Sequence, residues 1–497
     1  MKAGLKFIQG IVTKEGRHAV CFPPVLDIGW GGRRPAVLKR SLRSQLRSYS
    51  CGLLAGLVAG CVSYHAQPLS AEKAAENLEA RSLDDPGLRR FLAQNGGDAG
   101  PLWTLQDFTL AAWYYHSDMA VARAQVARTE AGITQAKERP EPVIGFAPQY
   151  TSNSGGLSPW TLGYSLDLPL ETAGKRRTRT AVATAQNSSA RYQLAATAWK
   201  VRNRVRLAML SLWKTRESMK LVAQNREDQA ALADLFERRY SAGEIGLAEV
   251  VPLRIAAGQG RMALDEARTQ AQLAETALAR SIGISAQALV GRPIDFTAVG
   301  RPPAENTPSE GQLRQWALQG RVDILAALAD YAAAEASIKL EIARQYPDLN
   351  LGPGYTWDQG ADRWSLGLSL TLPIFNRNRG AIARAEADRT AAAARFDSLQ
   401  SGILGDLEHA RADYLASREN ERTAESVLAQ QRHQLSSAEA RLRAGETGRT
   451  EWLGSRLLYD EAASARLATL AQVQTSLGAL EDAVQRPFDE PAPDHPN

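Results

Sequence analysis

The residue with the most clearly defined chemistry is Cys61, which follows the small residues Ala59 and Gly60. A bacterial lipoprotein peptidase needs small residues before the bond that it cleaves, and the thiol after that bond takes a diacylglyceryl group. The surrounding apolar run, residues 51–62, is too short to span a membrane but suits the core of a signal peptide. A basic stretch precedes it: Lys39, Arg40, Arg43 and Arg47. We therefore predict a signal peptide and a diacylglyceryl or palmitoyl group on Cys61, the alternative being a buried N-terminal helix.

The basic character of the chain belongs to the segment that we expect to be removed. Residues 1–60 carry ten Lys or Arg against two Asp or Glu, whereas the whole chain has a net charge of +5. The remainder is then about −3, which gives no reason to expect a nucleic-acid partner. The residue after Cys61 is Val62 rather than the aspartate that favours retention in the inner membrane, so we expect sorting to the outer membrane. No methionine lies between Met1 and Met119, so a misassigned translation start is an open alternative for this long leader.

Catalytic and metal-binding patterns are missing from the sequence. The histidines after the leader are dispersed without ligand spacing: His65, His116, His409, His433 and His495. The pair Gly174-Lys175 superficially resembles a phosphate-binding loop, but Pro169 stands where such a loop needs glycine. No Ser/His/Asp or Cys/His arrangement can be assembled. We therefore expect neither an enzyme nor a bound metal or cofactor.

The chain contains an internal repeat of about 200 residues. The segment 160–170 matches 364–374 at seven of eleven positions with a constant offset of 204. Downstream, the pattern Arg-x-x-Ala-Gly-Glu-x-Gly-x-x-Glu occurs at 239–249 and again at 441–451. Because these matches occur in the same order and at nearly the same offset, the sequence predicts a duplicated helix–strand–strand–helix unit. We place its copies at 102–300 and 301–487, after a lipid-anchored segment at 61–101 and before a flexible tail at 488–497.

Each copy contains a segment that alternates strictly between apolar residues and small or polar ones. A period of two residues indicates a β-strand with one apolar side and one side in water. The apolar side would be the core of a soluble sandwich or the lipid-facing side of an outer-membrane barrel. A strand of about 10 residues can cross a bilayer when it is tilted. Trp160 and Trp364 are expected to open their strands as interfacial aromatics. Each of these strands follows a less regular one, at about 143–152 and 348–357, which Pro148 and Pro353 are expected to interrupt.

Long helices are expected after each pair of strands. Residues 175–240 contain neither proline nor glycine, and their apolar residues follow steps of three and four, which is typical of a coiled coil. A helix of this length measures about 100 Å, and the Ala-Gly-Glu-x-Gly sequence that follows it predicts the turn of a helical hairpin. Four strands per chain cannot close a barrel, and open sheet edges are not tolerated in lipid. Several subunits are therefore expected, and three would supply twelve strands.

Together, the duplicated strand–Leu-Pro–helix passage and the duplicated hairpin turn resemble the TolC-like outer-membrane factors. The passage from Leu372 to Gly380 is similar to their CzcC-like heavy-metal branch. The resemblance implies a mainly α fold with a small β part, assembled as a homotrimer. Its 12-stranded outer-membrane β-barrel would be continued by a long periplasmic α-helical barrel. It also implies a passive exit duct of a tripartite efflux system, with a periplasmic adaptor protein and an inner-membrane RND-type pump as partners.

The resemblance further implies roles at the hairpin turns. The periplasmic tips that meet the adaptor would contain Gly243, Gly246, Gly445 and Gly448. The family often narrows the tip with a ring of acids, and Glu249 and Glu451 stand at matching positions. A second acid is usual three residues later, where this chain has Gly454, which argues against strong cation selectivity. For Glu451 the alternative is a solvated first-turn acid that favours the helix dipole.

The cargo and the function class retain alternatives. Divalent heavy-metal cations are the cargo that the CzcC-like passage suggests. The duct could instead serve drug efflux or type I protein secretion. A non-transporting periplasmic coiled-coil lipoprotein would explain the helices and the anchor, but it leaves the two matched strand pairs unexplained.

Overall fold

The computed structural model describes residues 64–97, 100–152, 155, 157–303 and 308–488. The chain divides into two units at Ala80. The described part of the first unit contains helix α1 (Ala71–Glu79), in which the Ser70 hydroxyl caps the N-terminus by accepting a hydrogen bond from the Lys73 N–H. The second unit holds every element discussed below.

The second unit contains two successive sets of helices and strands. The first set consists of α2 (Pro86–Gln94), α3 (Leu105–Tyr115), α4 (Ser117–Lys137), β1 (Val143–Tyr150), β2 (Trp160–Leu170), α5 (Lys175–Ser241) and α6 (Leu247–Ile282). After the short α7 (Thr297–Gly300), the second set consists of α8 (Glu310–Gln319), α9 (Val322–Ala343), β3 (Leu349–Asp358), β4 (Ala361–Leu370), α10 (Arg379–Arg443) and α11 (Arg449–Val484). The predicted mainly α fold with a small β part is confirmed, and the order helix–strand–strand–helix occurs twice.

The four strands form one antiparallel sheet in chain order. Gln359 and Gly360 join β3 to β4 with φ values of 51° and 105°, and a two-residue hairpin turn of this kind requires positive φ at both positions. This tight turn lets β4 begin at Ala361, so Trp364 is its fourth residue. The prediction that Trp364 opens its strand is wrong, whereas Trp160 does open β2.

The two prolines interrupt hydrogen bonding rather than the strands. Pro148 lies inside edge strand β1 opposite Leu162, where the missing N–H is tolerated. Pro353 lies inside β3 opposite Leu366 of β4. On its other side, the β2–β3 pairing skips the positions of Gly352 and Pro353, because proline cannot donate to the ladder.

The long helices form two antiparallel hairpins, α5 with α6 and α10 with α11. α5 has 67 residues and α10 has 65, and each is about 100 Å long. The apolar residues of α5 that follow steps of three and four face its neighbours: Leu194, Ala198, Val201, Val205 and Leu212 are buried, and Ala208 is half-buried. In the second set, Ile403, Leu407, Ala410 and Tyr414 of α10 pack in one core with residues of α8, α9 and α11. The predicted helical periodicity is thus confirmed.

A buried polar contact joins α5 to α11 and so joins the two hairpins within one chain. Arg206 is 3% exposed, and its guanidinium donates to the Gln474 carbonyl oxygen at 2.8 Å and to Gln474 Oε1 at 2.9 Å. Its Nε lies 3.6 Å from Glu481 Oε2. Because removing one partner leaves an uncompensated buried charge, a pair of this kind holds its two helices in one register.

Gly478 provides the space that the Arg206 guanidinium occupies, since a Cβ at this position would collide with Arg206 Nη1. We expect Gly478→Ala to lower the free energy of unfolding by about 1–3 kcal/mol, as overpacking does. Gly454→Ala is the matched control on α11, because no atom lies within 4 Å of its Cβ, and it should stabilise by about 0.5–1 kcal/mol. Denaturant unfolding of both variants measures the difference, and equal stability would contradict this packing.

Candidate functional site

The register of the sheet places the large apolar residues of all four strands on one face, which we call the apolar face. Tyr164 lies opposite Phe146 and Tyr355, and Tyr355 lies opposite Trp364. Side chains alternate along a strand, so every second residue from these four shares their face. Its other members are Ile144, Pro148, Tyr150, Trp160, Leu162, Leu166, Leu168, Leu170, Leu349, Leu351, Pro353, Trp357, Leu366, Leu368 and Leu370, with one acid, Asp362, at the β3–β4 end.

The apolar face has little cover from the rest of the described chain. Ile144 is 79% exposed, Leu366 is 72% exposed and Trp364 is 82% exposed. The opposite face carries small and polar residues, among them Gly163, Ser165 and Thr356. In a soluble sandwich the apolar side would be packed against a second layer. Such a large exposed apolar patch instead marks a surface that contacts a partner or lipid.

An aromatic row crosses the apolar face from one edge strand to the other. The ring centroids of Phe146 and Tyr164 are 4.9 Å apart, those of Tyr164 and Tyr355 are 6.4 Å apart, and those of Tyr355 and Trp364 are 4.9 Å apart. Trp160 instead packs on Tyr150, with centroids 5.2 Å apart. Trp160 and Trp364 therefore lie in different rows, and the partner of Trp364 across the sheet is Tyr355. The row joins residues of both repeats across strand pairs, so an alignment of the repeats by sequence offset does not show it.

The two edge strands of the sheet have one neighbour each. β1 pairs with β2 only, and β4 pairs with β3 only. The backbone N–H and C=O groups on their outer sides therefore have no strand partner within the described chain. Unpaired edges of this kind favour pairing with another chain.

The hairpin turns use their predicted glycines in two different ways. Gly243 and Gly445 follow α5 and α10 with φ values of 78° and 76°, the left-handed conformation that ends a helix. Gly246 and Gly448 are the N-cap residues of α6 and α11, and their backbones are extended. The sequence pattern therefore placed both turns at the correct residues.

The two candidate gate acids have different surroundings. Glu249 Oε1 accepts a hydrogen bond from the backbone N–H of Gly246, the N-cap residue of α6, at 3.4 Å. Glu451 instead pairs with Arg441 at 2.7 Å, and both side chains are about half exposed. At the matching position of the first turn, Arg239 pairs with Glu244 at 3.1 Å. Each acid thus has a local structural partner, and the two turns are not equivalent electrostatically.

A second polar contact between α5 and α11 contains two buried carboxyl groups. Asp228 and Asp460 are 5% and 4% exposed, and Arg456 Nε lies 2.8 Å from Asp228 Oδ2. Gln224 also donates to Asp228 Oδ2, whereas Asp460 Oδ2 is buried without a hydrogen-bond partner. Burial, followed by the nearby charge of Asp228, raises the pKa of Asp460 to about 6. No sequence motif indicates this cluster, because Asp228 and Asp460 belong to different repeats.

Cys61 lies outside the described residues, so its predicted lipid attachment stays a prediction. Within the described ranges, no group of three or more His, Cys, Asp or Glu side chains is placed to hold a metal ion. A search of the same residues for helices with the length and apolar character of a membrane span finds none.

The Asp460 carboxyl should make the stability of the α5–α11 contact depend on pH. The pKa of this carboxyl in the folded chain, about 6, exceeds its ordinary value of 3.8. The free energy of unfolding therefore contains a favourable contribution from the protonated carboxyl, which is fully present below about pH 4 and is lost as the pH rises through 6. We expect Asp460→Asn to raise the free energy of unfolding by about 1–3 kcal/mol at pH 7.5 and by much less at pH 4. Denaturant unfolding across this range measures the difference, which a normally titrating Asp460 would leave constant.

Asp228→Asn is the control for this measurement. It removes the ion-pair partner of the Arg456 guanidinium, and we therefore expect it to destabilise the chain at neutral pH. A gain in stability from this variant would show that the two carboxyl groups have interchangeable roles.

Comparison with known proteins agrees with this architecture. The sequence model of the outer membrane efflux protein family matches residues 115–284 and 313–484. The cobalt-zinc-cadmium resistance protein CzcC of Cupriavidus metallidurans is 28% identical over 284 residues, 57% of this chain and 65% of the relative. The pyoverdine export outer membrane protein OpmQ of Pseudomonas aeruginosa is 27% identical over 297 residues, 55% of this chain and 60% of the relative. The chain thus spans less than two thirds of the length of either curated relative.

Solved structures share the fold. A membrane protein from Pseudomonas aeruginosa superposes with a TM-score of 0.63 at 20% identity, covering 86% of this chain and 99% of that one. The outer membrane protein VceC of Vibrio cholerae superposes with a TM-score of 0.62 at 20% identity, covering 81% of this chain and 98% of that one. The family consists of channels in the bacterial outer membrane rather than of enzymes. With two family matches that together cover more than half of its length, the chain belongs to the outer membrane efflux protein family.

Proposed function

We propose that the chain is one subunit of a homotrimeric exit duct. The observation that carries this proposal is the four-stranded sheet, with its exposed apolar face and two unpaired edges. Three copies joined β4 to β1 give a closed twelve-stranded barrel, with the apolar face toward lipid and the small polar residues toward the lumen. Closure gives every backbone N–H and C=O group of the two edge strands a hydrogen-bond partner from another copy of the same chain.

The helical hairpins then continue the barrel into the periplasm. Each chain contributes α5 with α6 and α10 with α11, and the near-equal lengths of α5 and α10 support a tube of constant length. The repeated element order and the two family matches support an origin by duplication. The turns with Gly243, Gly246, Gly445 and Gly448 are the tips that meet a periplasmic adaptor protein.

Two features attach the duct to the outer membrane. The barrel is one, with Trp160 and Tyr150 beside the β1–β2 loop as interfacial aromatics and the row that includes Trp364 deeper in the apolar face. The diacylglyceryl or palmitoyl group on Cys61 is the other, and it adds to the membrane affinity of the barrel.

For the cargo, we propose divalent heavy-metal cations delivered by an inner-membrane RND-type pump. The likeness to a cobalt-zinc-cadmium resistance protein supports this choice. The likeness to a pyoverdine export protein supports a second candidate, an organic molecule of the pyoverdine type. The absence of a three-ligand cluster in the described residues is compatible with both, because a wide water-filled duct needs no binding site.

Planar-bilayer conductance and gene deletion together test the proposed function. The purified protein should insert as a unit with stepwise conductance, and deletion of its gene should sensitise cells to cobalt, zinc or cadmium. Sensitivity to dyes alone would remove the metal cargo but keep the duct. A folded protein that never conducts would contradict the duct itself.

The Arg441–Glu451 ion pair yields a separate prediction. If Glu451 belongs to an acidic ring at the tip, Glu451→Lys should lower the cation preference of the closed duct, seen as a shift of the reversal potential in a salt gradient. Glu439→Lys is the matched control, because Glu439 has the same charge on the nearby part of α10 and pairs with Arg443. An unchanged reversal potential would favour the alternative for Glu451, a solvated first-turn acid that favours the helix dipole and pairs with Arg441.

A further inference from the structure

The two ends of the sheet differ in charge. Where strands give way to helices, at residues 137–142, 171–179, 341–348 and 371–379, the chain carries nine Lys or Arg against five Asp or Glu. We call this end the junction. At the opposite end, residues 151–159 and 358–363 carry one Arg against two Asp. The antiparallel order brings all four junction segments to the same end of the sheet.

Three of the five acids at the junction are occupied by structural contacts. Glu171 pairs with Arg179 at 2.6 Å, and Asp348 pairs with the largely buried Lys175 at 2.7 Å. Glu341 pairs with Arg344 at 2.6 Å. The first two contacts join residues beside the strands to the start of α5, and the third lies at the end of α9. These three acids are therefore not free to neutralise the remaining cations.

Five arginines at the junction are exposed and form no ion pair with any described residue. They are Arg139, Arg176, Arg177, Arg377 and Arg379. Lys137 is likewise exposed and unpaired, and the two acids that remain, Glu138 and Glu141, are too few to balance them. A structural role within the chain therefore does not explain these arginines.

Several of these cations surround a cavity of about 540 Å³. Arg139, Arg176 and Arg177 line it together with two paired residues, Lys175 and Glu171, and Leu170 lies at its border. Leu170 is the last residue of β2 on the apolar face, so the cavity opens where that face ends. The second repeat has the same order, because the exposed Leu370, Leu372 and Phe375 precede Arg377 and Arg379.

We propose that the junction binds the phosphate groups of anionic phospholipids, with the cavity beside Arg176 and Arg177 as the principal site. This rests on the proposed function, in which the apolar face contacts the acyl chains. An apolar surface followed directly by guanidinium groups matches a lipid, whose acyl chains are followed by a phosphate. Arginine suits this ligand because its planar fork donates two hydrogen bonds to phosphate oxygens. The bound headgroups belong to the periplasmic leaflet and fix the depth of the barrel in the membrane.

The test compares two variants of the full-length protein with the same change in charge. One is Arg139→Gln/Arg176→Gln/Arg177→Gln. The control is Arg261→Gln/Arg280→Gln/Arg432→Gln, which replaces three exposed arginines of the long hairpins that form no ion pair in the described structure. Native mass spectrometry in an uncharged detergent counts the phosphatidylglycerol, phosphatidylcholine or inorganic phosphate retained by each protein, and circular dichroism verifies that both variants fold.

We expect the wild type and the control to retain phosphatidylglycerol in preference to phosphatidylcholine. The junction variant should bind phosphatidylglycerol at least about five-fold more weakly, because one surface cation alone contributes about this factor. Equal retention of phosphatidylglycerol by the junction variant would overturn the proposal. Equal competition by inorganic phosphate would also overturn it, since the site would then be a simple anion site.

The same spectra separate this proposal from the proposed function. Trimers that show no preference for phosphatidylglycerol would refute the lipid site and leave the duct intact. A protein that forms no trimer in any lipid would refute the duct, and the lipid proposal would fail with it.

Discussion

The backbone groups along the outer sides of β1 and β4 impose the constraint on which the rest of the structure depends. Each strand has one neighbour within the chain, and an unsatisfied N–H or C=O in hydrocarbon costs several kcal/mol. The sheet cannot twist closed with four strands, and its apolar face cannot be left in water. The proposed assembly of several copies resolves both problems at once. In that assembly the chain is one segment of a wall, with its helices continuing the strands.

The two hairpins of each chain are joined by contacts of different character. Arg206, Gln474 and Glu481 form a network built around a guanidinium, which is charged at every physiological pH. Nearer the turns, Asp228, Arg456 and Asp460 form a cluster in which one carboxyl has a pKa raised to about 6. The charge of the first contact therefore does not change with pH in the physiological range. The second contact loses stability as Asp460 loses its proton, so its contribution to the free energy of unfolding depends on pH.

The sequence predicted those features that follow from local periodicity. Alternation of leucine with small residues placed β2 correctly, and the repeated Ala-Gly-Glu-x-Gly placed both hairpin turns. It did not place the start of β4, because that depends on the two-residue turn at Gln359 and Gly360. It also failed to find the Asp228–Asp460 pair and the aromatic row, since both arise from contacts between segments far apart in the chain. The prolines illustrate the same limit: Pro353 removes a ladder hydrogen bond as expected, but neighbouring strands hold its strand in place.

The central claim is that β4 of one copy pairs with β1 of the next, and disulfide trapping tests it most directly. Within one sheet β1 and β4 are three strand spacings apart, about 14 Å, so cysteines placed on them cannot form an internal disulfide. Ala147→Cys combined in turn with a cysteine at Arg363, Ser365 or Ser369 samples neighbouring registers, and variants with one strand cysteine control for Cys21, Cys51 and Cys61. At least one pair should give covalent dimers and trimers in membranes, with no larger species. Chains that stay folded but never link, or a ladder that continues beyond three, would contradict the closed trimer.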